Sequence, residues 1–317
     1  MQPTPPESVA DGTIVDRAIV SDAIRSLLEG AGIRARRVAL SLPGSAVVVR
    51  EISVPSMSRA ELAGSIGWEA ERHIPFEARD VNLDYQVVGR GVDAEGSPTM
   101  AVLLAAARKS TVAEYAAVAA QAGCVPVVLD IAAFALQNAY AAYGGWDGEG
   151  SVALLNAGAS TINVNIVRDG RSVFTRDIAA GGNAYSDALR VARSVSFREA
   201  ERLKKAGGGD RPNVEIPEPV VREVTESLLL EIEKTFDFFA ASQPFVRLDR
   251  IVVSGGASRG PELTAAIAER FDASLERFDP FRTMAVGDPG PAGQDPADLA
   301  AAAGVATGLA LRRVGDR

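Results

Sequence analysis

The chain of 317 residues is 47% hydrophobic and carries a formal net charge of −8, which allows a large buried core in one unit or in two lobes. The acidic balance gives nucleic acid no electrostatic footprint, and no apolar run reaches the ~18 residues that a membrane-spanning helix needs, so we expect no nucleic-acid partner and no direct membrane insertion. A single cysteine, Cys124, and a single histidine, His73, exclude an intrachain disulfide, a multi-cysteine zinc site and a multi-histidine metal site.

The first predicted elements are a loop, a short helix and two strands. Residues 1–16 are rich in proline and polar residues and lack the charged and apolar segments of a secretory signal, so a reducing, cytoplasmic location is expected. The pattern predicts a helix over 19–30 that ends at a glycine, and strands over 38–42 and 46–54 that are separated by a Pro-Gly turn.

A helix that begins after Ser58 has the clearest local signal. Ser58 and Glu61 have the spacing of a capping box, and apolar residues then recur every four positions up to Ile74. Pro75 is predicted to stop this helix. His73 lies at the same end, and we interpret it as a partly buried packing residue rather than as a catalytic group.

Two further strands are predicted over 82–88 and 100–107, with a polar turn between them. Together with the preceding strand pair and helix they form a continuous unit over about 38–108. Because this unit is compact, we predict that it forms a small subdomain of its own.

The first half closes with a helix, a buried strand and a helix of small residues, which are predicted over 111–122, 125–129 and 131–143. The glycine-rich segment 144–150 then predicts a boundary. We therefore expect a first lobe over 1–145 and a second lobe over 146–317.

The second half begins with three strands, over 152–155, 161–167 and 172–178, and Asp169-Gly170 supplies a hairpin turn between the last two. Strands and helices then alternate. The elements predicted are a helix from near 182, a capped helix over 196–205, a flexible loop at 207–209, an amphipathic helix over 221–239, a strand over 251–253, a helix from 261 and a helix over 299–312. This interleaving in both halves predicts an α/β fold with two lobes.

One candidate for a binding site is the segment 154–161, Leu-Leu-Asn-Ala-Gly-Ala-Ser-Thr, between two predicted strands. A turn with a glycine and two hydroxyl side chains can bring backbone N–H groups close to phosphate oxygens. A structural hairpin is an equally good interpretation of this segment taken alone.

A second candidate is the segment 252–258, Val-Val-Ser-Gly-Gly-Ala-Ser, where a predicted strand runs into paired glycines and then a helix. Paired glycines let a ligand approach the backbone closely, and a following helix N-terminus favours an anion. A tight strand-to-helix turn without a ligand explains the segment as well.

In this order, the two segments resemble the second phosphate loop and the adenosine loop of the superfamily of actin, sugar kinases and heat-shock chaperones. The small-residue segments 130–136 and 301–308 resemble that superfamily's two connecting helices, which cross at the hinge between lobes. The resemblance implies a two-lobed actin-like (ribonuclease H-like) α/β fold, and ATP with Mg²⁺ as the ligand.

A more specific resemblance, over nearly the whole chain, is to the PilM family of type IV pilus assembly proteins. The segments that carry it are Leu-Pro-Gly-Ser at 42–45, the stretch 69–76 ending in Ile-Pro-Phe, Asn-Leu-Asp-Tyr-Gln at 82–86, 173–178 with Gly-Gly-Asn at 181–183, and Glu-Ala-Glu-Arg-Leu-Lys at 199–204. PilM and the cell-division protein FtsA share a small inserted α+β subdomain, which the resemblance places at about 38–108.

This resemblance implies a cytoplasmic adaptor, peripheral to the inner membrane through its partners. The adaptor would bind the cytoplasmic tail of a PilN-like membrane protein and link the pilus assembly platform to the pilus motor ATPase, a role connected with twitching motility. Self-association is compatible with the same architecture.

The resemblance also implies which residues surround a nucleotide. Two hydroxyl residues would face phosphate, a Glu–Lys pair would lie near ribose and adenine, and glycines would line the loops. The residues are Asn156, Gly158, Ser160, Thr161, Gly181, Gly182, Glu201, Lys204, Gly255, Gly256 and Ala257. A solvated helix face is the alternative interpretation for the Glu–Lys pair, and no residue is assigned a catalytic or metal-binding role.

The sequence departs from the family at its start. The family begins with a strand, a glycine-serine phosphate loop and two further strands, whereas the resemblance here begins near 12–16. We expect the natural start to lie upstream of Met1. Loss of those strands would leave an open sheet edge, and loss of the first phosphate loop would remove half of the residues that hold the phosphates. For a chain that starts at Met1, ATP binding is correspondingly doubtful.

Two further departures concern charge. Asn156 and Ala132 stand where relatives usually carry aspartate and often glutamate. An amide is a poorer ligand than a carboxylate for a hard cation and cannot act as a base, so we expect nucleotide binding without efficient hydrolysis. The alternatives are an active ATPase or kinase of the superfamily, and an FtsA-like cell-division or secretion platform protein.

Overall fold

The computed structural model describes residues 4–5, 7–10, 12–144, 146, 150–207, 217–243, 246–284 and 296–316. The predicted loop residues 208–209, and positions 145 and 147–149 of the predicted lobe boundary, lie outside the described residues. The chain divides into two compact units, Met1–Ala132 with Arg312–Arg317 as unit 1 and Ala133–Leu311 as unit 2.

The division between the units differs from the predicted boundary at 145/146 for a physical reason. Residues Leu136, Ala139 and Tyr140 are buried against the strands that follow them, so the helix that contains them belongs to unit 2. At the other end, Arg312 belongs to unit 1, and its Nε atom lies 3.1 Å from Oδ2 of the buried Asp130. Burial raises the pKa of Asp130, although the N–H of Ile131 and the charge of Arg312 act in the opposite direction.

Unit 1 holds two sheets, a short hairpin and three helices among the described residues. Its elements are β1 (Val9–Ala10), β2 (Thr13–Ile14), α1 (Arg17–Gly30), β3 (Arg37–Leu42), β4 (Val47–Pro55), α2 (Arg59–Glu71), β5 (Val81–Val92), β6 (Pro98–Arg108), α3 (Lys109–Gln121) and β7 (Val125–Ile131). The hairpin β1–β2 has no counterpart among the predicted strands, because two-residue strands carry no readable alternation.

The strands predicted on either side of the Pro-Gly turn form, but they belong to different sheets. Strand β3 pairs in parallel with β7, while β4 joins the antiparallel sheet β4-β6-β5. Helix α3 packs on the β3–β7 sheet and α1 packs on α3. The buried hydroxyl of Ser21 donates to the carbonyl oxygen of Val118 at 3.1 Å and fixes this contact.

The sheet β4-β6-β5 and helix α2 share a hydrophobic core of their own. The predicted capping box is present, since Ser58 Oγ accepts from the N–H of Glu61 and Glu61 Oε2 accepts from the N–H of Ser58. The helix ends at Glu71, yet Ile74 is still buried. His73 is exposed, so the interpretation of it as a partly buried packing residue is wrong; its neighbour Ile74 occupies the buried position instead.

Unit 2 is built on one mixed five-stranded sheet with helices on both faces. Its elements are α4 (Ala132–Tyr143), β8 (Ser151–Ala157), β9 (Ile162–Arg168), β10 (Arg171–Ile178), α5 (Asn183–Arg193), α6 (Phe197–Gly207), α7 (Glu218–Ser242), β11 (Arg250–Ser254), α8 (Pro261–Arg270), β12 (Ser274–Arg277) and α9 (Pro296–Leu311). The strand order is β10-β9-β8-β11-β12.

The two faces of this sheet are covered by different helices. Alternate side chains of β8, β9 and β11 pack with the buried side of α7, and the opposite face packs with α4. Strands β8, β11 and β12 are parallel, whereas β9 is antiparallel to both β8 and β10. The predicted hairpin at Asp169-Gly170, where both residues have positive φ, joins β9 to β10.

Helices α4 and α9, the two segments predicted as small-residue connecting helices, touch directly. A Cβ atom at Gly308 would overlap the carbonyl oxygen of Ala135, and one at Gly304 would lie 2.9 Å from Cδ1 of Leu136. The glycines of α9 therefore allow the two helix backbones to approach each other closely.

Candidate functional site

The turn after β8 is held against the loop after β10 by backbone hydrogen bonds. The N–H of Gly158 donates to the carbonyl oxygen of Thr161 at 2.9 Å, and the carbonyl oxygen of Gly158 accepts from the N–H of Gly182 at 2.9 Å. The N–H of Asn183 donates to Ala159 at 2.7 Å. A Cβ atom at Gly181 would lie 2.6 Å from the carbonyl oxygen of Gly158, so this docking requires a glycine.

The loop after β11 closes on the same turn. Gly255 has φ +91°, and a Cβ atom there would overlap the backbone of Ala157. Its N–H donates to the carbonyl oxygen of Ala301 at 2.7 Å. A Cβ at Gly182 would lie 3.2 Å from that of Ala257, whereas one at Gly256 would meet nothing within 4 Å. The structure therefore brings together the three predicted loops and leaves space beside Gly256.

The segment after Gly255 follows the predicted order of strand, paired glycines and a helix from 261, since α8 begins at Pro261. Residues Gly256–Arg259 form a 3-10 turn between them, which the sequence pattern did not predict. The hydroxyl of Ser258 donates to the carbonyl oxygen of Gly255 at 2.7 Å and stabilises that turn.

Two hydroxyl residues, Ser160 and Thr161, end the turn after β8. Ser160 and Thr161 are each partly buried, and no described residue makes a hydrogen bond to either hydroxyl. Two unbonded hydroxyls beside a glycine turn are suited to phosphate oxygens.

Glu201 and Lys204 form a compact cluster between α5 and α6. The Lys204 ammonium donates to the carbonyl oxygen of Gly182 at 3.0 Å and to Ser186 Oγ at 2.8 Å, and it pairs with Glu201. Ser186 also donates to Glu201. The Lys204 and Glu201 side chains are 25% and 23% exposed, so they are not a solvated helix face.

Opposing effects set the pKa of Glu201. Burial is the largest single effect and raises it, but hydrogen bonds from Lys204 and Ser186 and the charges of Lys204 and Lys205 together leave the pKa below its ordinary value. The carboxylate is therefore ionised, and it braces the loop that carries Gly182 through Lys204. All three N–H groups of the ammonium have partners in this cluster.

Sequence reasoning missed a polar chain at the edge of this site. Asn156, Asn163 and Asp177 lie directly opposite one another on β8, β9 and β10. Asn156 Nδ2 donates to Asn163 Oδ1 at 2.9 Å, and Asn163 Nδ2 donates to Asp177 Oδ1 at 2.9 Å. Asn163 and Asn165 alternate with apolar residues along β9, and this pair of amides was the signal available in the sequence.

The arrangement fits a nucleotide better than a protein-held metal ion. Glycine backbones, two unbonded hydroxyls and open space at Gly256 can receive phosphates and a ribose. Within the part of the chain that the structure describes, no group of three or more His, Cys, Asp or Glu side chains could hold a metal ion. A cation beside this turn would meet an amide, Asn156, which is a poorer ligand than a carboxylate.

Two lobes, a mixed sheet between helices and three converging glycine loops define an actin-like α/β protein. A profile of the family described as type IV pilus assembly protein PilM matches residues 1–314. The chain therefore belongs to the PilM family of type IV pilus assembly proteins, which confirms the resemblance predicted from the sequence motifs.

Solved structures agree with this assignment. A chain of the PilM-PilN type IV pilus biogenesis complex is 27% identical, with a TM-score of 0.83 over 99% of this chain and 90% of that chain. The ethanolamine utilization protein EutJ from Carboxydothermus hydrogenoformans is 17% identical, with a TM-score of 0.55 over 96% of this chain and 77% of that one. The second likeness concerns the fold alone.

None of the helices in the described ranges is both long and apolar enough to cross a bilayer.

Proposed function

We propose that this PilM-family protein is an adaptor of the type IV pilus assembly platform that binds the cytoplasmic tail of a PilN-like membrane protein. The observation that carries the proposal is the similarity over 99% of the chain to a protein solved as a PilM-PilN complex. Through that tail the protein would act at the cytoplasmic side of the inner membrane without inserting into it.

The proposed docking region is a groove beside the small subdomain, which consists of β4, α2, β5 and β6. Its own core supports this role, because a separately packed module can present a surface without disturbing the remainder of unit 1. The nine-residue strand β4 and the eleven-residue strand β6 give the module a rigid frame.

The glycine loops of unit 2 are proposed to bind ATP with Mg²⁺. Support comes from the docking of the Gly158, Gly182 and Gly255 loops on one another and from the unbonded hydroxyls of Ser160 and Thr161. Because Asn156 provides no base and no negative charge, nucleotide would stabilise one arrangement of the protein rather than drive turnover. The protein is accordingly proposed not to be an efficient ATPase.

Calorimetry with a synthetic peptide of the PilN-like partner's N-terminal cytoplasmic segment tests the adaptor proposal. We expect saturable one-to-one binding, and no binding of a scrambled peptide of equal composition. Absence of heat with the native peptide, with the protein folded by circular dichroism, would contradict the adaptor function.

A superfamily ATPase or kinase is the competing function, and the converging loops are the observation that favours it. Phosphate release measured with Mg²⁺ and then with EDTA separates the two. Rapid release that depends on Mg²⁺ supports the enzyme, whereas peptide binding without turnover supports the adaptor.

A further inference from the structure

A chain of three polar side chains crosses the face of the unit 2 sheet that packs against α4. Asn156, Asn163 and Asp177 are register partners on adjacent strands and are linked by two hydrogen bonds of 2.9 Å. Asn163, in the middle, is only 9% exposed. Such a buried amide requires partners on both sides, and here both partners are side chains.

The Asp177 carboxylate fixes the direction of both hydrogen bonds in this row of side chains. An ionised carboxylate only accepts hydrogen bonds, so Asn163 must turn its NH₂ group towards Asp177. Its Oδ1 atom then faces Asn156, which must in turn donate from its own NH₂ group. Asn156 Oδ1 is left as an acceptor, and no described group donates to it.

Asn156, the last side chain of this hydrogen-bonded row, lies at the start of the candidate phosphate turn. Asn156 is two residues before Gly158, whose N–H closes the turn onto Thr161. The negative charge sits two strands away, on Asp177, and reaches the turn only as the polarity of two amides. A neutral carbonyl oxygen is therefore what the sheet presents at the start of the candidate phosphate turn.

We propose that Asp177 is a positioning residue, which acts through Asn163 to hold the Asn156 carbonyl oxygen as an acceptor for the hydrated Mg²⁺ of a bound nucleotide. This inference rests on the proposed nucleotide site. It assigns a role to two residues, Asn163 and Asp177, that do not belong to the loops. It predicts that a site with an amide at 156 binds a magnesium–nucleotide complex more tightly than a metal-free nucleotide.

Asp177→Asn tests the proposal with little change in volume. Because an amide at 177 can present either an oxygen or an NH₂ group to Asn163, the hydrogen bonds from 177 through Asn163 to Asn156 lose their fixed direction. Affinity for the Mg²⁺ complex of a non-hydrolysable ATP analogue should fall about fivefold to tenfold, while affinity for the same analogue in EDTA should change less than about twofold.

Ser172→Ala is the matched control. Ser172 also lies on β10, and its hydroxyl donates to Asn165 Oδ1 at 2.7 Å in a second polar network. Asn165 in turn donates to Ala133 and Gln137 of α4. Loss of the Ser172 hydroxyl should leave the affinity for the ATP analogue unchanged, both with Mg²⁺ and in EDTA. Equal losses with and without Mg²⁺ in Asp177→Asn would overturn the proposal, because they would indicate a structural role only.

A second measurement does not depend on nucleotide. The side-chain amide signals of Asn156 in ¹⁵N NMR spectra of the ligand-free protein should shift in Asp177→Asn and not in Ser172→Ala. Unchanged Asn156 signals would overturn the orienting role of Asp177. If the wild-type protein binds no nucleotide, the nucleotide site and the cation role both fail, while the NMR signals still decide whether Asp177 orients Asn156.

Discussion

At the scale of single residues, Gly255 and Gly256 are adjacent but do different things. Gly255 has φ +91° and no room for a Cβ atom, while Gly256 is surrounded by open space. Gly255→Ala should therefore destabilise unit 2 by at least about 2 kcal/mol, because backbone strain adds to a steric overlap. Gly256→Ala should change stability by less than about 0.5 kcal/mol.

Urea unfolding followed by circular dichroism measures both glycine variants. The pair is informative because the substitution is the same and the positions are neighbours. Equal stability of the two variants would contradict the docking of the β11 loop against Ala157.

Glu201 gives a prediction about pH. Its pKa in the folded protein lies below the ordinary value, so its stabilising contribution is complete above the unfolded pKa and disappears as pH falls through the folded one. Glu201→Gln should therefore lower the urea midpoint at pH 7, and the difference from wild type should shrink at about pH 4 and below. Urea titrations at both pH values measure this.

Glu199→Gln is the control on the same helix. Glu199 pairs with Arg202 at the surface, where solvent screens the ion pair and leaves it little net effect on stability. A loss in Glu199→Gln as large as that in Glu201→Gln would indicate a general effect of helix charge rather than the brace through Lys204 and Ser186.

At the scale of elements, the contact of α4 with α9 depends on the absence of a side chain. Gly308→Ala should destabilise the protein by about 2 kcal/mol or more, because the added methyl group would overlap the Ala135 carbonyl oxygen. Thermal unfolding measures the change.

Gly64→Ala in α2 is the matched control for Gly308→Ala. A Cβ atom at Gly64 meets nothing within 4 Å, so the better helix propensity of alanine should stabilise the protein by about 0.5–1 kcal/mol. The same substitution should thus have opposite signs in the two helices. Stabilisation by Gly308→Ala would contradict the close approach of α4 and α9.

Most elements with strong periodicity could be predicted from the sequence, and the reasons are local. The capping box of α2, the hairpin at Asp169-Gly170 and the long amphipathic α7 each depend on residues close in sequence. Strand β12 was not predicted, because four residues at the parallel edge of the mixed sheet show no alternation. The division of β3 and β4 between two sheets depends on pairing with β7 and β6, which local patterns do not encode.

For the candidate site, too, the sequence allowed the local features to be predicted but not the contacts between elements. Its loops carry glycines that can be recognised along the chain, and the structure brings them together. The bonds of Lys204 to Gly182 and Ser186, and the chain from Asn156 to Asp177, link residues on different elements. Those links follow from strand register and helix packing, which only the folded chain specifies.

At the scale of the whole molecule, the adaptor and enzyme functions predict different responses to nucleotide. A ligand present at a hundred times its Kd stabilises the folded state by about 2.7 kcal/mol. For a unit of this size we expect the unfolding temperature to rise by about 5–10 °C in Mg-ATP, without phosphate release above background. Scanning fluorimetry and a phosphate assay on one sample measure both quantities.

The double variant Ser160→Ala, Thr161→Val separates binding at the proposed turn from binding elsewhere. Neither hydroxyl is bonded within the described residues, and the Thr161 carbonyl oxygen that closes the turn is retained, so the unfolding temperature without nucleotide should stay close to that of wild type. The rise in Mg-ATP should be lost. An undiminished rise would place the nucleotide away from this turn, and rapid phosphate release by the wild-type protein would favour the enzyme over the adaptor.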